Sequence, residues 1–152
     1  MGSMKLTILN TREIKEITKH LVDQFGFTDK LDYVFLLSSK DKIYLAKKEV
    51  FDIDLDKLNV SSVGVYFGEI EKDGLRLSIE GSQLIGPKAK KGVVEVDDYT
   101  GWMRGEQVDT SLEDGYVIVK FKDDYLGCGK AKEGKVLNYV GKIRRLNVAS
   151  PQ

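Results

Sequence analysis

Residues 115–140 read GYVIVKFKDDYLGCGKAKEGKVLNYV, and this stretch decides the fold. Three runs rich in Val, Ile, Tyr and Phe, at 116–121, 125–130 and 136–140, are separated by the turn formers Asp123-Asp124 and Glu133-Gly134. Short apolar runs at roughly ten-residue spacing, with no space for a helix between them, predict antiparallel strands of a small sandwich or barrel. Working towards the N-terminus, Asp114-Gly115 supplies a further turn and residues 93–96 a further strand. Residues 98–105 read as a short helical insert capped by Asp97 or Asp98, with Trp102 and Met103 available for burial.

Pro87, followed by Lys88-Ala89-Lys90-Lys91-Gly92, marks the boundary of this unit. Before it the periodicity changes. Ile14, Ile17, Leu21, Val22 and Phe25 recur at helical spacing, with Asn10 or Thr11 as cap, Glu13 completing a capping box and Gly26 as the stop. This predicts a helix over Thr11–Phe25. His20 lies beside that stripe, as a boundary residue. Two hairpins follow: Tyr33-Val34-Phe35-Leu36-Leu37 with Ile43-Tyr44-Leu45, then residues 63–68 with 75–79 across a charged link ending in Asp73-Gly74. Residues 50–58 read as a loop or weak helix, and 82–85 as one helical turn. The expected class is α+β: a small N-terminal α+β domain over residues 1–87 and a β-barrel over 88–152.

The chain has 152 residues, 41% of them hydrophobic, with 24 basic and 24 acidic side chains. That composition excludes wholesale disorder and gives enough apolar surface for a real core. No run approaches the ~18 apolar residues of a membrane span and no signal peptide is evident, so a cytoplasmic protein is expected. Met1-Gly2-Ser3 ahead of Met4 has the form of a cloning remnant. One cysteine, Cys128, excludes an internal disulfide, and with His20 the sole histidine there is no Cys/His zinc cluster. Neutrality conceals an asymmetry: residues 1–87 sum to −2, 88–119 to −3 and 120–152 to +5. A basic C-terminal third points to a polyanion, of which nucleic acid is the commonest in a cell.

Catalytic chemistry finds little support. Asp52, Asp54 and Asp56 imitate the start of an EF-hand loop, but its sixth position is Lys57 and its twelfth Val63. Gly127-Cys128-Gly129-Lys130 has only a superficial likeness to a phosphate loop, lacking the glycine spacing, the following Ser/Thr and a helix. Cys128 has no partner base in its own unit and reads as a packed thiol. Glu69 and Glu80 are placed to face each other across the second hairpin, with no pocket to make them an acid–base pair. Asn59-Val60-Ser61 matches a glycosylation triplet without other signs of secretion. The expectation is a non-enzyme with neither cofactor nor metal.

The basic residues form three groups: Lys88, Lys90 and Lys91; Lys130, Lys132 and Lys135; Lys142, Arg144 and Arg145. Tyr139 precedes the last group and Trp102 neighbours Arg104. Cations neutralise phosphates while aromatic rings and guanidinium planes stack on unpaired bases, so RNA binding is favoured over the alternative of an ordinary solvated face. Trp102 alone reads as core.

The C-terminal residues also carry a family resemblance. Val93-Val94-Glu95-Val96, the segment Trp102-Met103-Arg104-Gly105-Glu106-Gln107-Val108, the strand Gly115-Tyr116-Val117-Ile118-Val119 and Leu126-Gly127-Cys128-Gly129 follow the order of a PUA domain. Over residues 91–146 the chain resembles this RNA-binding module. Residues 137–146 are similar to the extension in PUA companions of Nop/Sun RNA cytosine-5 methyltransferases. Tyr66-Phe67-Gly68 and residues 75–87 resemble the domain preceding PUA in the Nip family of ribosome-assembly factors and their archaeal relatives.

The resemblance implies a pre-PUA-like domain followed by a PUA-like barrel. The chain has no space for a Rossmann domain and no catalytic cysteine motif, so an RNA-binding accessory protein is implied. Its RNA would be ribosomal, bound during ribosome biogenesis or RNA modification. The resemblance places RNA against Arg104, Gly105, Glu106, Gln107 and Val108, and against Lys142, Arg144 and Arg145; Lys132 and Lys135 are added from charge. The alternative is an adaptor docking an RNA methyltransferase or ribosome-assembly factor, with tRNA rather than rRNA as a possible substrate.

Overall fold

The computed structural model of the protein describes residues 6–48 and 64–139. The expectations for residues 50–58, the Asp52/Asp54/Asp56 run, the Asn59 triplet, Val140, Lys142, Arg144 and Arg145 lie outside the described residues.

Strand β1 (Leu6–Ile8) leads into helix α1 (Thr11–Phe25). The helix starts where its sequence says it should. Asn10 Oδ1 accepts from Glu13 N at 2.9 Å while the Glu13 carboxylate accepts from Asn10 N at 3.0 Å, so two otherwise orphaned donors are satisfied together. It stops at Gly26, whose φ of 60° an L side chain rarely adopts. Ile17, Leu21 and Phe25 are buried and Ile14 packs beside them. Val22, expected on the same stripe, faces solvent, because the buried line runs at i, i+4, i+8 from Ile17.

The first sheet has the order β1-β2-β3-β4-β5, with β2 Val34–Ser38, β3 Lys42–Ala46, β4 Val65–Glu71 and β5 Gly74–Leu77, all antiparallel. β4 continues through Glu69, Ile70 and Glu71, which the sequence reading assigned to a link. Ladder pairing with β5 places Glu69 opposite Arg76, a favourable cross-strand pair. The expected β5 residues Ser78 and Ile79 are not strand. Ser78 caps helix α2 (Ile79–Ile85), its Oγ accepting from Gly81 N at 2.8 Å. Glu80 therefore rides on a helix, and the expected Glu69–Glu80 pairing across the hairpin does not form.

A single 3-10 turn, Gly86–Lys88, leads to the second sheet. Its order is β6-β8-β9-β10-β7, curled into a half-barrel, from β6 Val93–Glu95, β7 Val108–Asp109, β8 Gly115–Phe121, β9 Asp124–Lys132 and β10 Lys135–Asn138. Only β6–β8 is parallel. Glu133 and Gly134, at φ of 52° and 83°, make the tight turn between β9 and β10. Helix α3 (Tyr99–Met103) crosses between β6 and β7, with Asp98 accepting from Thr100 N at 2.9 Å as its cap.

Among the described residues three apolar clusters form. The largest joins α1, the first sheet and one face of the second, bringing Phe25, Phe67 and Leu75 against Tyr116, Ile118 and Cys128. A smaller one, around Trp102 with Val117, Val119, Ala131 and Val136, belongs to the second sheet alone. The third lies on the other side of the first sheet, around Leu36 and Tyr44. The Lys-rich segment after Pro87 is docked along the end of α1: Lys90 N and Lys91 N both donate to Phe25 O, at 2.7 and 3.2 Å, and Ile118 N donates to Gly92 O. Among the described residues no helix is long and apolar enough to cross a membrane.

Candidate nucleic-acid interface

Trp102 is the floor of the candidate site. Its ring is fully buried in the smaller core, and its Nε1 has no hydrogen-bond acceptor among the described residues. Above it the chain leaves α3 through Arg104-Gly105-Glu106-Gln107 and enters β7. Arg104 N, Gly105 N and Glu106 N donate back to Thr100, Trp102 and Gly101 carbonyls, closing the helix end. Asn138 on β10 fixes the loop from across the sheet, its Nδ2 donating to Trp102 O at 2.7 Å and to Glu106 O at 2.8 Å. The side chains of Arg104, Glu106 and Gln107 are exposed on this held backbone. Arg104 lies 3.6 Å from the Glu106 carboxylate, an exposed pair worth little that a phosphate can displace. Gly105 has φ 95°, so a glycine is required here by the turn itself, whatever approaches it.

β7 pairs with β10 and β10 with β9, which brings Lys135 opposite both Asp109 and Lys132. Lys132 is exposed and has no ion pair among the described residues. Lys135 Nζ lies 2.5 Å from Asp109 Oδ1. Lys132 and Lys135 thus flank the β9–β10 turn at the start of β10, while Arg104, Gly105 and Gln107 lie in the loop held by Asn138 at its end. Lys130, grouped with them by sequence, is elsewhere engaged: it pairs with Asp73 of the β4–β5 turn.

That pair belongs to a polar seam between the two sheets which sequence reasoning missed. Tyr116 OH donates to Asp73 at 2.9 Å, Tyr66 OH to Glu69 at 2.7 Å and Arg76 to Glu69 at 3.1 Å. The Arg76 guanidinium also lies 4.9 Å from the centre of the Tyr139 ring. Lys130, then the Tyr116 hydroxyl, holds the Asp73 carboxyl below its ordinary value, and burial followed by the neighbouring carboxylates pushes Tyr66 and Tyr116 up. The seam walls a cleft of about 280 Å³, floored by Gly127 and Cys128. Burial pushes the Cys128 thiol up to about 12, far from a reactive thiolate. Among the described residues no group of three or more His, Cys, Asp or Glu side chains is placed to hold a metal. The signal for the seam, Arg76 two residues from Ser78 and 63 before Tyr139, is not local and has no periodicity to betray it.

The comparisons with known proteins agree with the geometry of this second sheet. Residues 91–146 match the family described as the methyltransferase RsmF PUA domain. The chain is similar to ribosomal RNA small subunit methyltransferase F of Aeromonas salmonicida (strain A449), 28% identical over 142 residues, covering 91% of this chain. The chain spans 29% of that relative's length. The match begins at Lys91, where the docked segment enters β6, and takes in α3, its held loop and the curled sheet. Residues 91–146 are thus similar in sequence to the methyltransferase RsmF PUA domain.

Proposed function

We propose that the protein binds unpaired or looped RNA through the α3–β7 loop and the β7–β10–β9 side of its PUA domain, without itself modifying the RNA. What carries this reading is the match of residues 91–146 together with a loop that presents Arg104 and Gln107 from a backbone fixed at both ends by Asn138. Arg104 and Lys132 would neutralise phosphates, and Gln107 would hydrogen-bond a base edge. Lys135 would join them by exchanging Asp109 for a phosphate. Lys142, Arg144 and Arg145 would extend the contact. In this reading residues 1–87 and 88–152 are two structural units, the first supporting the second.

Small-subunit ribosomal RNA is the substrate we favour, by analogy with the relative's name, and the role is that of a cytoplasmic accessory to ribosome biogenesis or rRNA modification. The test is fluorescence anisotropy with the full chain and labelled RNA across a salt series. Arg104→Ala with Lys132→Ala should make the salt slope shallower by about 1.4 on single-stranded RNA. Parental affinity and slope in that variant would remove the PUA loop as the site. Binding insensitive to salt would favour the adaptor reading, and any reproducible mass change in RNA incubated with the pure protein would overturn its non-enzymatic role.

A further inference from the structure

The N-terminal half sums to −2, and nothing in its sequence marks a phosphate site. The fold nevertheless gathers lysines from three separate segments around one groove of about 590 Å³. Lys30 comes from the segment between α1 and β2, Lys47 and Lys48 follow β3, and Lys88 ends the 3-10 turn after α2. Tyr33 and Leu84 line its floor, with the Tyr33 ring half-buried against the main core. We propose that this groove is a second RNA-binding surface, taking a single strand with its phosphates on the lysines and a base on Tyr33; the proposal rests on the RNA-binding reading above.

Charge decides the kind of occupant. The groove holds two carboxylates, Asp29 and Asp32, against four ammonium groups. Lys48 lies 2.6 Å from Asp32 and Lys88 3.7 Å from Asp29, and all four of these side chains are more than half exposed. Ion pairs so open to water contribute little and exchange readily for a phosphate. Lys30 and Lys47 are exposed and have no ion-pair partner among the described residues. Lys90, at 3.0 Å from Thr28 Oγ1, extends the positive rim towards the PUA domain. An anionic protein surface would satisfy the lysines but has no use for a ring set in the floor. A duplex would meet the lysines but keep its bases from Tyr33. A positively charged groove with an aromatic platform is the arrangement that fits unpaired nucleic acid.

The experiment uses the full chain and an unstructured labelled RNA of roughly 30 nucleotides, several times the length one such groove covers. Lys30→Gln with Lys47→Gln should lower the salt slope by about 1.4, which corresponds to a roughly 25-fold loss of affinity at 0.1 M salt. Tyr33→Leu keeps the apolar volume and should weaken binding at least about fivefold with the slope unchanged. Thermal melting checks that each variant is folded, and the exposed lysine pair answers the question even if the Tyr33 variant is not. Parental affinity and slope in the lysine variant, while Arg104→Ala weakens binding, would overturn the groove and leave the PUA site standing. No RNA binding by the parent would overturn both. Polyglutamate binding as tight as RNA, lost in the lysine variant, would reassign the groove to acidic protein.

Discussion

The two sheets bury their apolar residues by different routes. β2 of the first sheet is buried on both sides, Phe35 facing the main core and Leu36 the cluster behind it. β8 of the second sheet is buried on both sides too, but Ile118 contributes to the main core while Val117 and Val119 hold Trp102. The first sheet therefore shares its core with the whole molecule, and the second keeps one for itself, directly beneath the α3–β7 loop. Stability and the candidate RNA site are consequently governed by different side chains, and the two can be perturbed separately.

The largest test removes the shared core outright. A fragment of residues 88–152 would expose Tyr116, Ile118 and Cys128, which the first sheet covers, and would have about 65 residues to compensate. It is expected to lack a cooperative melting transition where the full chain has one, as followed by circular dichroism. A folded fragment would show that the Trp102 core suffices.

Phe25→Ala cuts the same core within the intact chain and should cost about 3–5 kcal/mol, measured by denaturant unfolding. Its expected signature is one transition involving both sheets; two separated transitions would break the comparison. Asn138→Ala acts on the other side. It frees two loop carbonyls for a loss of about 1–3 kcal/mol, felt mainly as faster hydrogen exchange between Arg104 and Val108 and as weaker RNA binding. Equal exchange throughout the molecule would show that the loop is not an independent element.

The smallest effect lies in the seam. Asp73 has a carboxyl held below its ordinary value by Lys130 and Tyr116, so the native state binds its proton less readily than the unfolded chain. The contribution is present above the unfolded value near pH 4 and fades as pH falls through the lower native one. Because the Asp73 side chain is 43% exposed, the effect is small. Asp73→Asn should flatten the acid limb of stability between roughly pH 2 and 5 and change little at pH 7. An unchanged acid limb would mean that the seam contributes nothing to joining the sheets.

What could be read from sequence was what local chemistry determines. The limits of α1 are legible because Asn10, Glu13 and Gly26 act on their own neighbours. The strands of residues 115–138 are legible because each is long enough to show its apolar run. β1 and β7, of three and two residues, owe their existence to pairing with β2 and β10 and have no pattern of their own. The same limit governs the charges. Lys130 and Lys135 looked available because Asp73 and Asp109 lie 57 and 26 residues away in the chain. The lysine groove was concealed for the converse reason, its members being scattered from Lys30 to Lys88 through an acidic half. Gly105 was singled out for close approach by RNA, whereas its backbone conformation by itself already demands a glycine.

Trp102 is the protein's one tryptophan, and it lies fully buried under the α3–β7 loop. Indole emission shifts with the polarity around the ring, so the molecule carries its own optical gauge at a single place. Light emitted from Trp102 reports on the loop above it and is blind to the lysine groove. Any partner that lifts that loop will announce itself as a change of colour, and one that settles only on the N-terminal half will bind in the dark.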